Sequence, residues 1–433
     1  MSTETLVNPC EPPEIAPSIK KPKRKRREQP RPAQRCPAHD KLKISPSPSF
    51  LDWAHQGPND RSLHGRGSSS SSSSSERSSS QWNRWASGVG GASYSLQDVV
   101  ALDTIESLLM QYGTTSHMGA RDPSYQFYIN ATGTGAVIYK VLDKVAMISG
   151  DPLCHPDQYL SLIQEFETYC KKHHLRVAIV AGSESMARIG QEHKWMMIRF
   201  GTEKVLNPTT NPMLGDQVRG GKRTVAKCRQ LLKQGMRIDT YCPGHDYDPR
   251  IEKQLVQIYQ DWCAARNHER GSAFMTVFDI LALPNLMAFV YSKDANGIIN
   301  GFAALRRLGE GYHIDPFIAS ADAPKGTSDL LLYAAMSLSK DLNITKLTLG
   351  FEVVPELDEI YRVPKVLLGV IRKTHRRIFE QLLLGGKKTF FDRFHPDEEQ
   401  DGALHILYPQ TPSLRHILAT MHFANIRVRS VVG

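Results

Sequence analysis

Apolar residues at Val99, Val100, Leu102, Ile105, Leu108 and Leu109 recur at helical spacing and predict a helix over Leu96–Tyr112. Short β-rich runs follow at Tyr125–Ile129, Ala136–Val141 and Val145–Ser149. A helical stretch at Asp157–His173, a wholly apolar run at Val177–Val180, a second helix at Ser185–His193 and a strand at Trp195–Phe200 complete the series. The same order then returns. A helix at Arg250–Arg266 precedes strands at Leu286–Tyr291, Ile299–Arg306 and Tyr312–Ile318, a helix at Thr327–Leu342 and a strand at Lys346–Gly350. Two meander–helix–strand units in series predict a duplicated α+β fold, the first unit over residues 94–215 and the second over 216–430.

Between the two units the pattern changes character. From Arg219 to Arg237 there are seven basic residues and no carboxylate: Arg219, Lys222, Arg223, Lys227, Arg229, Lys233 and Arg237. On a helix at 100° per residue these fall within an arc of about 160°, with Val225, Cys228, Leu231 and Leu232 opposite. A helix docked by one apolar stripe and basic along the other suits a surface that follows phosphates; a merely solvated face is the plainer alternative. A second basic helix is predicted over Lys365–Leu384, stopped by Gly385-Gly386 and followed by Lys387, Lys388 and Arg393.

Residues 1–93 show no such periodicity. They are Pro- and Ser-rich, with serine unbroken from Ser68 to Ser75, and are expected to form a disordered tail. Within the tail, Lys20–Arg27 fits a nuclear address, a tether to anionic lipid or RNA, or simply a solubilising segment. Residues 1–95 hold fifteen Lys/Arg against eight Asp/Glu, which leaves only three of the chain's net +10 to the remainder. The body is therefore basic in patches, which favours one localised polyanion site over general nucleic-acid coating.

The seven cysteines are scattered and never spaced as CxxC, so neither a disulfide framework nor a metal knuckle is expected, and a reducing cytoplasm is the natural setting. No apolar run approaches the ~20 residues of a membrane-spanning helix. A lipid substrate would be met from the water side, as a peripheral contact.

Nucleophile schemes find little support. There is no G-x-S-x-G elbow and no HExxH; His117 and Asp122 match an H-x4-D spacing, which arises easily by chance. Asp315 interrupts the apolar strand Tyr312–Ile318, where a charge is costly unless paired or functional. His313 is a candidate general base, and Glu352 follows the strand that ends at Gly350. The repeated unit resembles the frame of the GNAT acetyltransferases, which hold the pyrophosphate of coenzyme A in a Gly-rich loop. At that place this chain reads Ser149-Gly150-Asp151-Pro152-Leu153-Cys154 in the first unit and Ala321-Asp322-Ala323-Pro324-Lys325-Gly326-Thr327 in the second. Both lack paired glycines and set an Asp where a phosphate would lie, so coenzyme A is not expected as a cofactor.

Several stretches together resemble the C-terminal domain of the lysylphosphatidylglycerol synthetases. Ala136–Pro152 is similar to its opening hairpin ending in Gly-Asp-Pro, and Gly220–Gly235 to its basic helix. His313-Ile314-Asp315 and Asp322–Asp329 are similar to its D-L-M-R and D-A-P-N-G-x-M-D signatures, Leu347–Leu357 to its L-x-L-G-M-A-P-L, and Phe391–Pro396 to its terminal Y-K-x-K-F-D-P. The resemblance spans about residues 100–410. It implies a tandem GNAT fold that transfers an amino acid from charged tRNA to a lipid hydroxyl, with neither coenzyme A nor a metal. Asp315, His313 and Glu352, read from their places in the second unit, are the candidates for the chemistry, although Glu352 departs from the family's residue there. The resemblance makes the basic helices the tRNA surface, with Arg219, Lys222, Arg223, Lys227, Arg229 and Lys233 gripping phosphates and Lys388 and Arg393 the terminal nucleotides. A free-standing form with a Ser-rich tail looks most like the fungal branch that esterifies ergosterol, which implies glycyl-tRNA as donor and a sterol 3β-hydroxyl as acceptor. Phosphatidylglycerol as acceptor, and a non-catalytic RNA- or membrane-binding module, are the alternatives.

Overall fold

The computed structural model describes residues 44, 46–56, 91–215, 220–269, 278–381 and 385–424, and these described residues fall in one unit built on one sheet. Its strands are β1 (Ala92–Tyr94), β2 (Gln126–Ile129), β3 (Ala136–Leu142), β4 (Val145–Ser149), β5 (Arg176–Gly182), β6 (Met196–Leu206), β7 (Arg237–Tyr241), β8 (Met287–Lys293), β9 (Ile299–Leu308), β10 (Gly311–Ala319), β11 (Leu347–Val353), β12 (Ile360–Tyr361) and β13 (Gly402–Tyr408). The order across the sheet is β1-β2-β3-β4-β5-β13-β6-β11-β10-β9-β8-β7, with β12 paired to β6. The hairpin β3–β4 turns on Asp143 and Lys144, whose positive φ angles of 48° and 62° match the twist of the strands they join.

Each unit therefore has the expected strand meander, but the closing strands are exchanged. β6 follows the first unit's strands and pairs with β11 of the second, whereas β13 follows the second and pairs with β5 of the first. The two exchanged strands pair with each other at the centre. β13 and the helix Leu414–Phe423, which fall within the expected 216–430 unit, pack against the first unit's strands, where Phe423 meets Tyr125 edge-on at 6.1 Å. Alternation along single strands could not disclose the exchange, because both partners read as ordinary buried strands.

The helix Thr327–Asp341 is apolar nearly all round, burying Leu330, Leu331, Leu332, Ala334, Ala335, Met336 and Leu338. It lies between the sheet and the basic helix Lys222–Lys233, which contributes Val225, Cys228 and Leu231 to the same core. Each buried leucine supplies about 1.5–3 kcal/mol. The basic helix is shorter than its charge run: Arg237 starts β7, and Arg219 lies outside the described residues.

The expectation of an unordered stretch over residues 1–93 is corrected at residues 46–56. Pro48–His55 is a helix with proline in its first turn, and the Ser47 hydroxyl accepts the Phe50 N–H at 3.2 Å. Trp53, fully buried, packs 4.9 Å from the Tyr312 ring and donates its indole N–H to the Asn285 carbonyl at 3.1 Å. Residues 1–43, 45 and 57–90 lie outside the described residues, including the Lys20–Arg27 run.

One buried carboxyl makes stability depend on pH. Glu106, on the helix Val99–Tyr112, accepts from the Asn285 side chain at 2.6 Å and its backbone N–H at 3.3 Å. Burial pushes its carboxyl up to about 7 against the pull of those donors. A carboxyl raised in the fold holds its proton more tightly there than in the unfolded chain. It therefore favours folding fully below the ordinary carboxyl value and loses that contribution as pH rises through 7. The swing is roughly 3 kcal/mol. Glu106→Gln is expected to flatten the dependence of the urea midpoint on pH between about 4.5 and about 8; an unchanged slope would remove the assignment.

Candidate functional site

The two units differ where their parallel strands meet. In the first, β4 and β5 stay paired over five successive positions, from Val145↔Arg176 to Ser149↔Val180. In the second, β10 and β11 pair only at Tyr312↔Leu347 and His313↔Thr348 and then part. Pro316, which has no N–H to offer a ladder, lies in the bulge that interrupts β10 between Ile314 and Phe317, and β11 is irregular between Thr348 and Phe351. The slot so opened has Asp315, half-buried, on one lip.

Behind Asp315 sits a segment of the first unit, the 3-10 turn Thr115–Arg121. The Thr115 hydroxyl donates to Thr348 Oγ1 at 2.7 Å, and His313 Nδ1 lies 3.0 Å from the same oxygen. His313 is only 1% exposed and thus stands behind the slot, tied to Thr348. Arg121 donates from Nη2 to the Asp315 carbonyl at 3.2 Å, and Arg306 donates from Nη1 to the carbonyls of His117 at 3.3 Å and Met118 at 3.4 Å. Both guanidiniums are fully buried.

Neither arginine stood out in the sequence. Arg306 gave a usable signal, since alternation along Ile299–Leu308 sets it on the same face as Phe302 and Ala304, both fully buried. Arg121 lies in a turn with no period to read.

The H-x4-D spacing resolves into two separate structural roles. His117 is fully buried; its Nε2–H donates to the Asp151 carbonyl at 2.8 Å, and its Nδ1 accepts the Thr114 N–H at 2.9 Å. Burial holds this imidazole down at about 4, so it stays neutral. Asp122 instead pairs with Lys140 at 3.6 Å. In the first unit's loop, Asp151 is buried and accepts the Ser183 N–H at 2.8 Å, so a side chain of the protein takes a backbone donor that an anion would use. Asp322, its counterpart in the second unit, is exposed.

The basic residues assemble beside the start of the Thr327–Asp341 helix. A cleft of about 450 Å³ is lined by Arg223, Lys227, Gln230, Lys325, Gly326 and Asp329. Gly326 has φ +95°, and a Cβ there would come within 3.2 Å of the Lys227 stem, so glycine lets the two helices meet. Lys222, Arg223 and Lys233 are exposed, and Lys227 and Arg229 half-buried. Arg393 reaches the same cleft, bound to both carboxylate oxygens of Asp329 at 3.2 and 3.4 Å and stacked 4.5 Å over the Phe390 ring. Lys388 pairs with Asp392 at 3.1 Å; that bond first, and Glu352 next, raise its ammonium. Glu352, opposite Thr202 of β6, thus belongs with Lys388 and Asp392. Among the described residues no helix is long and apolar enough to cross a membrane.

Residues 106–401 match the protein family described as phosphatidylglycerol lysyltransferase, C-terminal. The chain is 22% identical over 345 residues to an MprF-like domain protein of Mycobacterium tuberculosis, covering 76% of this chain and 66% of that protein. It is 25% identical over 256 residues to the lysylphosphatidylglycerol biosynthesis bifunctional protein LysX of Rhodococcus opacus, covering 58% of this chain and 22% of that one. The chain thus spans under two thirds of one relative and about a fifth of the other. Its fold is similar to that of L-PGS from Bacillus licheniformis, at TM-score 0.60 and 16% identity over 78% of this chain and 100% of that one. The C-terminal domain of a putative lysylphosphatidylglycerol synthetase from Agrobacterium fabrum gives a TM-score of 0.59 at 14% identity, over 75% of this chain and 96% of that one.

Proposed function

The chain belongs to the phosphatidylglycerol lysyltransferase C-terminal family, and from that premise we propose that it moves an aminoacyl group from charged tRNA to the hydroxyl of phosphatidylglycerol. The observation that bears most weight is the cleft where Arg223, Lys227 and Lys325 converge on the first turn of a helix, the position from which GNAT folds hold an anionic donor. There the tRNA phosphates replace the pyrophosphate of coenzyme A.

The reaction is an ester exchange. The lipid oxygen attacks the aminoacyl carbonyl carbon, the bond to the ribose oxygen breaks, and the proton lost by the lipid hydroxyl ends on the ribose. Nothing else is consumed, so no cofactor or metal is called for. Asp315, on the lip of the slot, takes the lipid proton or holds the α-ammonium group. The slot opens from the second unit alone, because β4 and β5 stay zipped. A donor met in water and an acceptor met at the membrane surface support a cytoplasmic enzyme with peripheral membrane contact as part of this proposal.

A sterol hydroxyl charged from glycyl-tRNA is the second reading. What favours it is the apolar surrounding of Asp315, where half-buried Phe317 stacks on Phe390 at 5.5 Å and 24°, company that suits a sterol better than a phosphate headgroup.

The donor assignment has a direct test. Lys222→Glu with Arg223→Glu adds acids to a helix N-terminus, which the helix tolerates. tRNA affinity is expected to fall at least about tenfold, with the log–log salt slope smaller by about two, one for each phosphate no longer held. Unchanged affinity and slope would refute a tRNA surface here. Mass spectrometry of lipids formed from mixed charged tRNAs, phosphatidylglycerol and ergosterol separates the acceptors: an aminoacylated phospholipid supports the first reading, an aminoacyl sterol the second, and neither product refutes both.

A further inference from the structure

Arg121 and Arg306 keep four buried guanidinium nitrogens without a hydrogen-bond partner: Nε and Nη1 of the first, Nε and Nη2 of the second. Buried donors are normally satisfied, and leaving them bare costs most when they are charged. The charges do not balance locally either. Burial pushes both guanidiniums down, and Arg121 pushes Arg306 further. Asp315 is the carboxylate that both feel, while Asp279 is exposed and acts on Arg121. An arginine does not release its proton in a protein. Two cations facing one internal carboxylate leave a net positive charge beside the slot, and the free edges of two forks match the geometry of a planar or tetrahedral oxyanion.

We infer that Arg121 and Arg306 form a buried subsite for one singly charged oxyanion of a substrate, reached through the gap between β10 and β11. Two sources present that chemistry: the phosphodiester of a phospholipid acceptor and the side-chain carboxylate of an acidic aminoacyl group on the donor. The inference rests on the aminoacyl-transfer reading for the identity of these substrates, but its test needs no turnover. A protein that prefers the anion yet forms no aminoacyl lipid would keep the subsite and lose the reading.

Calorimetry on the full chain decides it with two matched pairs. Dihexanoyl-phosphatidylglycerol is set against dihexanoylglycerol, and 3′-deoxy-3′-(aspartylamino)adenosine against its asparaginyl counterpart. The native protein is expected to bind the anion of one pair about tenfold or more tightly than its neutral partner, as a charge-assisted bond implies. Which pair shows the preference names the source. Arg121→Gln and Arg306→Gln are each expected to abolish the preference while binding of the neutral partner persists. Should a glutamine variant fail to fold, Arg121→Lys or Arg306→Lys, which keeps the charge and loses the fork, is expected to reduce it. Equal binding within both pairs by the native protein overturns the subsite, as does a preference that survives the substitutions.

Discussion

Asp315→Asn is expected to lower aminoacyl-lipid formation by about a hundredfold or more, with little change in the tRNA concentration needed for half-maximal rate. The first half follows from placement. Asp315 is the carboxylate at the point where β10 leaves β11, half-buried, and held from behind by Arg121 through its own carbonyl. A positioned group that accepts a proton in the transition state contributes typically ~10²–10⁴ in rate. The second half follows from separation, since Asp315 is on β10 and is not among the residues lining the cleft of the cations proposed to hold tRNA. A group acting only at the reacting atoms lowers turnover and spares donor binding. Because Asp315 also offsets two buried guanidiniums, the melting temperature is the necessary control. Loss of rate with the melting temperature held within a few degrees assigns the loss to chemistry, and Asp315→Glu, which keeps the charge but moves it by one methylene, should give an intermediate rate. A variant that kept more than about a tenth of the parent rate would rule Asp315 out as the proton acceptor.

Trp53→Ala is expected to have the largest effect on stability. The indole is fully buried, lies 5.5 Å from Phe50 and 4.9 Å from Tyr312, and hydrogen-bonds the Asn285 carbonyl at 3.1 Å. Its own carbonyl accepts from Arg307 Nη1 at 3.1 Å. Truncating a buried tryptophan to alanine costs about 3–5 kcal/mol, a large share of the ~5–15 kcal/mol that separates folded from unfolded chains. A drop in melting temperature of about 10 °C follows for a domain of this size. Leu51→Ala on the same helix, at 36% exposure, should stay within about 0.5 kcal/mol of the parent. If the two substitutions proved equally mild, the Pro48–His55 helix would not be an integral part of the core.

These two residues mark how far the sequence could be read. Asp315 was visible because a single carboxylate breaks an apolar strand, and local pattern is enough to expose that. Trp53 was not, because its helix has eight residues and an adjoining Ser-rich stretch, and its partners Tyr312 and Asn285 are more than 230 positions away. The order of strands and helices was legible from periodicity. Their exchange between units was not, since a strand's hydrophobic face does not say which edge it will join. The basic helix was legible as one face of charge, but its neighbour Lys325 and the tie between Arg393 and Asp329 depend on packing that brings distant segments together.

The crossing of β6 and β13 also has a consequence for how this protein comes into being. As the chain leaves the ribosome, the edge of β5 has no neighbour until residues 402–408 have been made, more than 200 positions later. An open strand edge invites pairing with other chains, so the early half must wait, incomplete and adhesive, for the last strand. The second lobe escapes this wait, since β6, the partner of β11, is already made when it emerges; a message shortened before residue 402 would leave the first lobe alone with a bare edge.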